Sequence, residues 1–204
     1  MTDPVSIPAD VVKRLREETG AGMMECKRAL VEAAGDLEKA RQILRQKGLA
    51  GIQKRAGRRA SEGVIEAYVH GEDRRYGAIV EVNCETDFVA RTEDFRRLAR
   101  EVALQIVSLD PWWISREDVP ADVVDSERKI YEEQARTSGK PDNVIQRIVD
   151  GKIEAFFGER VLLEQPYIRD GSMKVGDLLQ EMASKVGENL VIRRFTRYRL
   201  GEEA

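Results

Sequence analysis

The sequence predicts an α+β protein, with an N-terminal module of three helices followed by a core in which a small three-stranded antiparallel sheet packs against helices. Three observations predict it. Residues 7–48 repeat apolar side chains at helical spacing between glycines, two stretches near positions 65 and 80 alternate apolar and polar, and a β-branched, aromatic run closes the chain.

Taken in order, Ile7, Val11 and Leu15 fall four apart with Pro8 in the opening turn, and Gly20 stands where a left-handed cap ends the first helix. After Gly22 the second helix offers Met23, Met24, Leu30, Val31 and Ala34 before Gly35. The third starts from Asp36 as N-cap and offers Leu37, Ala40, Ile43 and Leu44 before Gly48. Each stripe is too small to stand alone, so the three are expected to pack on one another as a module over residues 1–50. Then "RQKGLAGIQKRAGRRA" (45–60) carries six basic residues and no acid. Residues 51–61 read as a basic linker, either a solvated connector or an arm that touches RNA. The stretch has no aromatic ring to stack a base.

The core, residues 62–204, opens with a hairpin. "GVIEAYVHG" sets Ile65, Ala67 and Val69 on one face, "GEDRR" turns, and "YGAIVEVNCE" sets Ala78, Val80, Val82 and Cys84 opposite Glu81, Asn83 and Glu85. An amphipathic helix follows from Thr92 as N-cap through Phe95, Leu98, Val102, Leu104 and Ile106 to Leu109, where Asp110-Pro111 stops it. Helical spacing resumes from Val119 to Phe157, broken at Gly139 and restarted at Pro141. "MKVGDLLQEMASKVGEN" is one more helix, and "LVIRRFTRYRLG" is the last strand.

Composition narrows the function classes. With 204 residues, 42% hydrophobic and 35% charged, the balance is that of a globular protein. No apolar run approaches the ~20 residues of a membrane span, and the acidic start "MTDPVSIPAD" lacks the pattern of a leader, so a cytoplasmic protein without a membrane partner is expected. Cys26 and Cys84 stand 58 positions apart with a single histidine in the chain, and no glycine-rich phosphate loop is present. No metal or cofactor is expected. The net charge of -3 hides an asymmetry, +5 over residues 1–60 against -8 over the rest. His70 beside a turn, Cys84 on the buried face of its strand, and the carboxylates Glu85 and Asp87 offer the available enzyme chemistry, but none has a partner nearby in sequence. An enzyme is therefore not expected.

Apolar residues in surface positions are more informative. Met23 and Met24 point about 100° apart on a helix, so either one stays at the surface or both fill gaps in the core. Phe88, in "NCETDFVAR" (83–91), lies between the last strand residue and the next helix cap, on a connection that ought to run over the surface. The ring is either tucked into the core or an anchor for a partner.

"LREETGAGMMECKRAL" (15–30) and "EVNCETDFVAR" (81–91) resemble the two signature stretches of the bacterial elongation factor Ts family, guanine-nucleotide exchange factors for elongation factor Tu. "SGKPDNVIQRIVDGKIEAFF", "LLEQPYIRD" and "IRRFTRYRLG" are similar to later parts of that family, so the resemblance runs in order along essentially the whole chain. It implies that the N-terminal module is ubiquitin-associated-like. It implies that Thr86, Asp87, Phe88 and Val89 match the segment that dislodges magnesium from the partner's nucleotide site, with Phe88 as the wedge. By the same matching, Arg16, Met23 and Met24 touch elongation factor Tu, with no direct nucleic-acid contact. The chain resembles the short, single-core form, for which a homodimer supplies the second half. Alternation in the last strand sends Arg193, Arg197 and Arg199 to one side, either toward that interface or onto a solvated face.

Overall fold

The computed structural model describes residues 7–19, 21–55, 57–137 and 141–202. The expected stops at Gly20 and Gly139 and the acidic start before Ile7 lie outside them. The chain divides into two compact units: Met1–Gly63, Asn83–Arg91 and Leu179–Val191 make one, and Val64–Val82, Thr92–Leu178 and Ile192–Ala204 the other.

Three helices open the first unit: α1 (Ala9–Thr19), α2 (Met23–Glu32) and α3 (Leu37–Arg55). Val12, Leu15, Cys26, Ala29, Leu30, Ala33 and Ala40 are buried together, with Ile7, Val11, Leu37, Ile43 and Leu44 packed against them. Arg41 of α3 reaches Glu18 of α1 at 3.0 Å. The α2–α3 junction shows why glycine belongs there. Ala34 takes a left-handed φ of 51° and Gly35 one of 87°, while the Gly35 N–H donates to Leu30 O at 2.8 Å and the Ala34 N–H to Val31 O at 3.1 Å. These two bonds satisfy carbonyls that the end of α2 leaves open. Asp36 then accepts from the Lys39 N–H at 3.1 Å as the cap of α3. One expectation fails here, because α3 does not stop before Gly48 but continues to Arg55. A glycine that keeps helical φ/ψ weakens a helix by only about 1 kcal/mol, and termination requires the left-handed turn seen at Gly35.

Next in the chain come β1 (Glu62–His70), β2 (Tyr76–Cys84), the single-turn α4 (Asp87–Ala90), α5 (Glu93–Leu109), α6 (Ala121–Arg136), α7 (Asp142–Arg160), β3 (Pro166–Tyr167), β4 (Asp170–Lys174), α8 (Val175–Val186) and β5 (Val191–Arg199). The antiparallel sheet has the order β1-β2-β5. Thr92 caps α5 by accepting from the Phe95 N–H at 3.3 Å. Phe95, Leu98, Val102 and Ile106 of α5 are buried, as are Ala78, Val80 and Val82 of β2. Arg100 of α5 meets Glu66 of β1 at 3.3 Å, so α5 covers the face that carries Glu66.

By alternation, Ile65, Ala67 and Val69 then point away from α5, and Ile65 is 69% and Val69 46% exposed. The sequence located an apolar face on β1, and that face is the open one. Arg197 departs from the solvated-face option: its side chain is only 13% exposed, bonded to Asp110 at 3.2 Å and to Val107 O at 3.4 Å. Leu104, expected in the buried stripe of α5, is half-buried, and its neighbour Gln105 is fully buried. Gln105 donates to Gln165 Oε1 and to Pro166 O, both at 3.1 Å, and accepts from the Ile168 N–H at 2.9 Å. That amide ties the short β3–β4 ribbon, which sequence reading missed, to α5. Among the described residues no helix is long and apolar enough to cross a membrane.

Candidate functional site

The site is built on the turn that follows β2, within the first unit. Thr86 has extended backbone and begins α4, its Oγ1 accepting from the Val89 N–H at 3.4 Å. Phe88 therefore stands on one turn of helix where a loop was expected. One turn cannot hold its own geometry, since helix nucleation is unfavourable. The support comes from Glu188, two residues beyond the end of α8. Glu188 Oε2 accepts from the Glu85 N–H at 2.9 Å and the Thr86 N–H at 3.1 Å, and Oε1 accepts from the Thr86 hydroxyl at 2.6 Å. The reverse clamp is made by Glu85, whose Oε1 accepts from the Asn189 N–H at 2.7 Å and lies 3.5 Å from Arg58. Asn189 Nδ2 in turn donates to Arg58 O at 2.9 Å.

Beneath the turn, Cys84 is fully buried and its thiol donates to Thr86 O at 3.1 Å. Burial, and then the nearby Glu188 charge, push that thiol up to about 11. It stays protonated at neutral pH and serves as part of the floor, not as a nucleophile. The carboxylates Glu85 and Asp87 do not act as a pair, because Glu85 turns to Asn189 and Arg58 while Asp87 pairs with Arg91 at 2.8 Å. His70 Nδ1 lies 3.1 Å from the Tyr68 hydroxyl. Among the described residues, no group of acidic, histidine or cysteine side chains is arranged to hold a metal.

What the turn presents is apolar. Ala90 is buried and Val89 half-buried, so they root α4, while Phe88 is 79% exposed. The tucked-in alternative for the ring is thereby removed. In the helical module Met23 is 44% and Met24 63% exposed at the start of α2, and Arg16 is exposed in the last turn of α1. The core alternative for the methionine pair falls too, since Cys26, Ala29 and Leu30 form the buried stripe of that helix. Thr86, Asp87, Phe88 and Val89 are one continuous turn. Arg16 lies on α1 and Met23 and Met24 on α2, helices of the same unit.

Sequence reasoning missed Glu188, Asn189 and Arg58. A glutamate directly after Gly187, whose φ is +76°, marks the exit of a helix, but nothing local identifies its partner about a hundred positions earlier.

A family profile described as elongation factor TS matches residues 9–202. Among curated proteins, the elongation factor Ts of Caldanaerobacter subterraneus subsp. tengcongensis is 58% identical over 96% of this chain and 98% of its own length. That of Coprothermobacter proteolyticus is 54% identical over 97% of this chain and all of its own, and that of Fervidobacterium nodosum is 50% identical over the same shares.

Proposed function

The chain belongs to the elongation factor Ts family of translation elongation factors, and on that premise we propose that it is the guanine-nucleotide exchange factor of elongation factor Tu. The observation that carries the reading is Phe88, a large ring 79% exposed on a turn fixed by three hydrogen bonds to one carboxylate. An isolated exposed ring is unremarkable on a protein surface, but one held rigid on a single helical turn is suited to insertion into another protein.

A GTPase holds its nucleotide through phosphate contacts and a magnesium ion bridging phosphate oxygens to protein. An exchange factor breaks no bond, so the chain is not an enzyme of covalent chemistry. It binds the distorted or empty partner more tightly than the loaded one, and linkage weakens the nucleotide by the same factor. In this reading Thr86, Asp87, Phe88 and Val89 enter the crevice and dislodge magnesium, while Arg16, Met23 and Met24 dock on the GTPase domain. Residues 1–50 are the docking module, 51–61 the basic connector, and 62–204 the core. The partner is a protein in the cytoplasm, with no nucleic acid contacted directly.

The chain also acts as a homodimer. Ile65, Val69, Ile79 and Tyr198 are 69%, 46%, 46% and 63% exposed. Alternation puts all four on the open face of the sheet, where Arg194 meets Glu81 at 2.8 Å. A patch of that kind suits a self-complementary contact.

The test is mixing with elongation factor Tu carrying a fluorescent GDP analogue. Rapid signal loss on adding the chain, and a stoichiometric complex that excess GDP dissolves, are expected; nucleotide release at the unassisted rate would refute the proposal.

A further inference from the structure

We infer that Glu188 is a positioning residue for exchange, setting the stance of the Phe88 turn from the far end of the sequence; this rests on the exchange role proposed above. The hydrogen bonds of the carboxylate go to the start of the turn, at Glu85 and Thr86. The carboxylate takes the two successive N–H groups of Glu85 and Thr86 on one oxygen and the Thr86 hydroxyl on the other. The two N–H bonds hold the backbone of Glu85 between them, and the hydroxyl bond holds the side chain of Thr86, the cap from which α4 starts. The hydroxyl works in both senses, donating to Glu188 while accepting from the Val89 N–H. Rotation of the Thr86 side chain breaks the cap and the hydroxyl arm of the clamp together.

The neighbouring residue closes the arrangement in the opposite sense. The Asn189 N–H donates to Glu85, so the two segments exchange a glutamate each and slide past one another only by losing bonds on both sides. Charge is managed in the same small volume, where Arg58 stands 3.5 Å from Glu85. Bonds to an ionised acceptor are roughly twice as strong as neutral ones. A single turn without such support samples many conformations, and each one that misdirects the ring lowers the fraction competent to enter the partner. Misplacement of a reacting group by about 1 Å costs on the order of a hundredfold in rate, and the same scale applies to a wedge.

The experiment is a double-mutant cycle on nucleotide release from elongation factor Tu, using Phe88→Ala, Glu188→Ala and both together, with thermal melting of each chain. Glu188→Ala should slow assisted release by roughly tenfold, and by no more than Phe88→Ala does, and it should add almost nothing when Phe88 is already alanine, since it acts through that ring. Glu188→Gln keeps the shape and an acceptor for the two N–H groups, and should restore release to within about threefold of the parent, the size of effect expected of a neutral bond replacing a charged one. Additive losses in the double variant, or full activity in Glu188→Ala, overturn the inference while leaving the exchange reading intact. Full activity in Phe88→Ala overturns the inference together with the wedge role of the ring, whereas release at the unassisted rate with the parent chain overturns the exchange reading itself. Should Glu188→Ala not fold, Glu85→Ala removes the reverse arm of the same clamp, and its loss must again vanish in the Phe88→Ala background. Amide exchange at Glu85 and Thr86 in the free chain gives a readout independent of the GTPase: it should accelerate in Glu188→Ala, and unchanged protection refutes the clamp.

Discussion

Phe88→Ala tests the proposed mechanism where its arithmetic is sharpest. Full burial of a phenylalanine side chain is worth about 1.5–3 kcal/mol. With the ring 79% exposed in the free chain, about four-fifths of that remains to be gained on a partner, or about 1.2–2.4 kcal/mol. At 1.36 kcal/mol per tenfold, truncation should slow assisted nucleotide release roughly eightfold to sixtyfold. The same exposure sets the control: a side chain with so little internal packing should change folding stability by no more than about 0.5 kcal/mol, a shift of about 1–2 °C in melting temperature for a chain of this size. Stopped-flow fluorescence of a GDP analogue leaving elongation factor Tu reads the first quantity, and calorimetry the second. Unchanged release from a variant that still forms the complex refutes the wedge. A melting temperature lowered by more than about 6 °C refutes the premise that the ring is idle in its own fold, since it implies a loss of roughly 2 kcal/mol.

Four further outcomes follow from particular contacts. Ala34→Gly should stabilise the helical module by about 0.5–1 kcal/mol, because the left-handed φ of 51° strains alanine by more than glycine loses in unfolded-chain entropy; denaturant titration reads the difference. Gly176→Ala should destabilise by about 1–3 kcal/mol, since its Cβ would meet the backbone oxygen of Leu163 at 2.9 Å and the Leu163 backbone is held by its N–H bond to Ile114 O at 3.0 Å. The Arg116 guanidinium, 3.0 Å from Glu164 and 2.7 Å from Glu154, holds both carboxyls below their usual 4.5. Their folded values are depressed, so the stability they contribute is present above about pH 4.5 and is lost as pH falls through the lowered values; Arg116→Met should flatten the acid limb of the stability curve, measured by urea unfolding at pH 3 to 6. Ile65→Lys, on the open face of the sheet, should shift the proposed dimer toward monomer in sedimentation velocity while leaving the melt of the monomer unchanged; an unaltered dimer moves the interface elsewhere.

Periodicity was legible wherever one segment settles its own structure. The cap at Thr92, the cap at Asp36 and the left-handed stop at Gly35 each depend on residues within a few positions, and each stands where the sequence predicts. Choices that depend on a distant segment were not legible. β1 is apolar on the side it leaves open, and only Arg100, 34 positions later, shows which side α5 covers. Gln105 reads as an interruption of an apolar stripe until Gln165 and Pro166 arrive to bond it. The candidate site divides in the same way. The ring and the methionine pair were visible as large apolar residues whose place, core or surface, the sequence left open, whereas Glu188 and Asn189, about a hundred positions from the turn they hold, carry no local sign of their role.

The wedge and the helical module should fail in different ways when damaged. An assisted release on the order of a thousandfold requires about 4 kcal/mol, more than Phe88 supplies. Met23 and Met24, 44% and 63% exposed, bury enough surface on a partner for about 1.6–3.2 kcal/mol, but that energy counts toward the requirement only where it is gained as the nucleotide leaves. The two sources differ in timing. A docking contact made before magnesium is disturbed and kept afterwards is uniform binding, which lowers the half-saturating concentration without changing the maximal rate, whereas the wedge acts only as the nucleotide leaves. Replacing both methionines by alanine should therefore raise the half-saturating concentration roughly fifteenfold to two-hundredfold and hold maximal release within about twofold of the parent. Phe88→Ala should do the reverse. If the methionine variant instead lowers the maximum at saturating factor, the helical module takes part in dislodging magnesium, and the division of labour drawn here between docking and wedge is wrong.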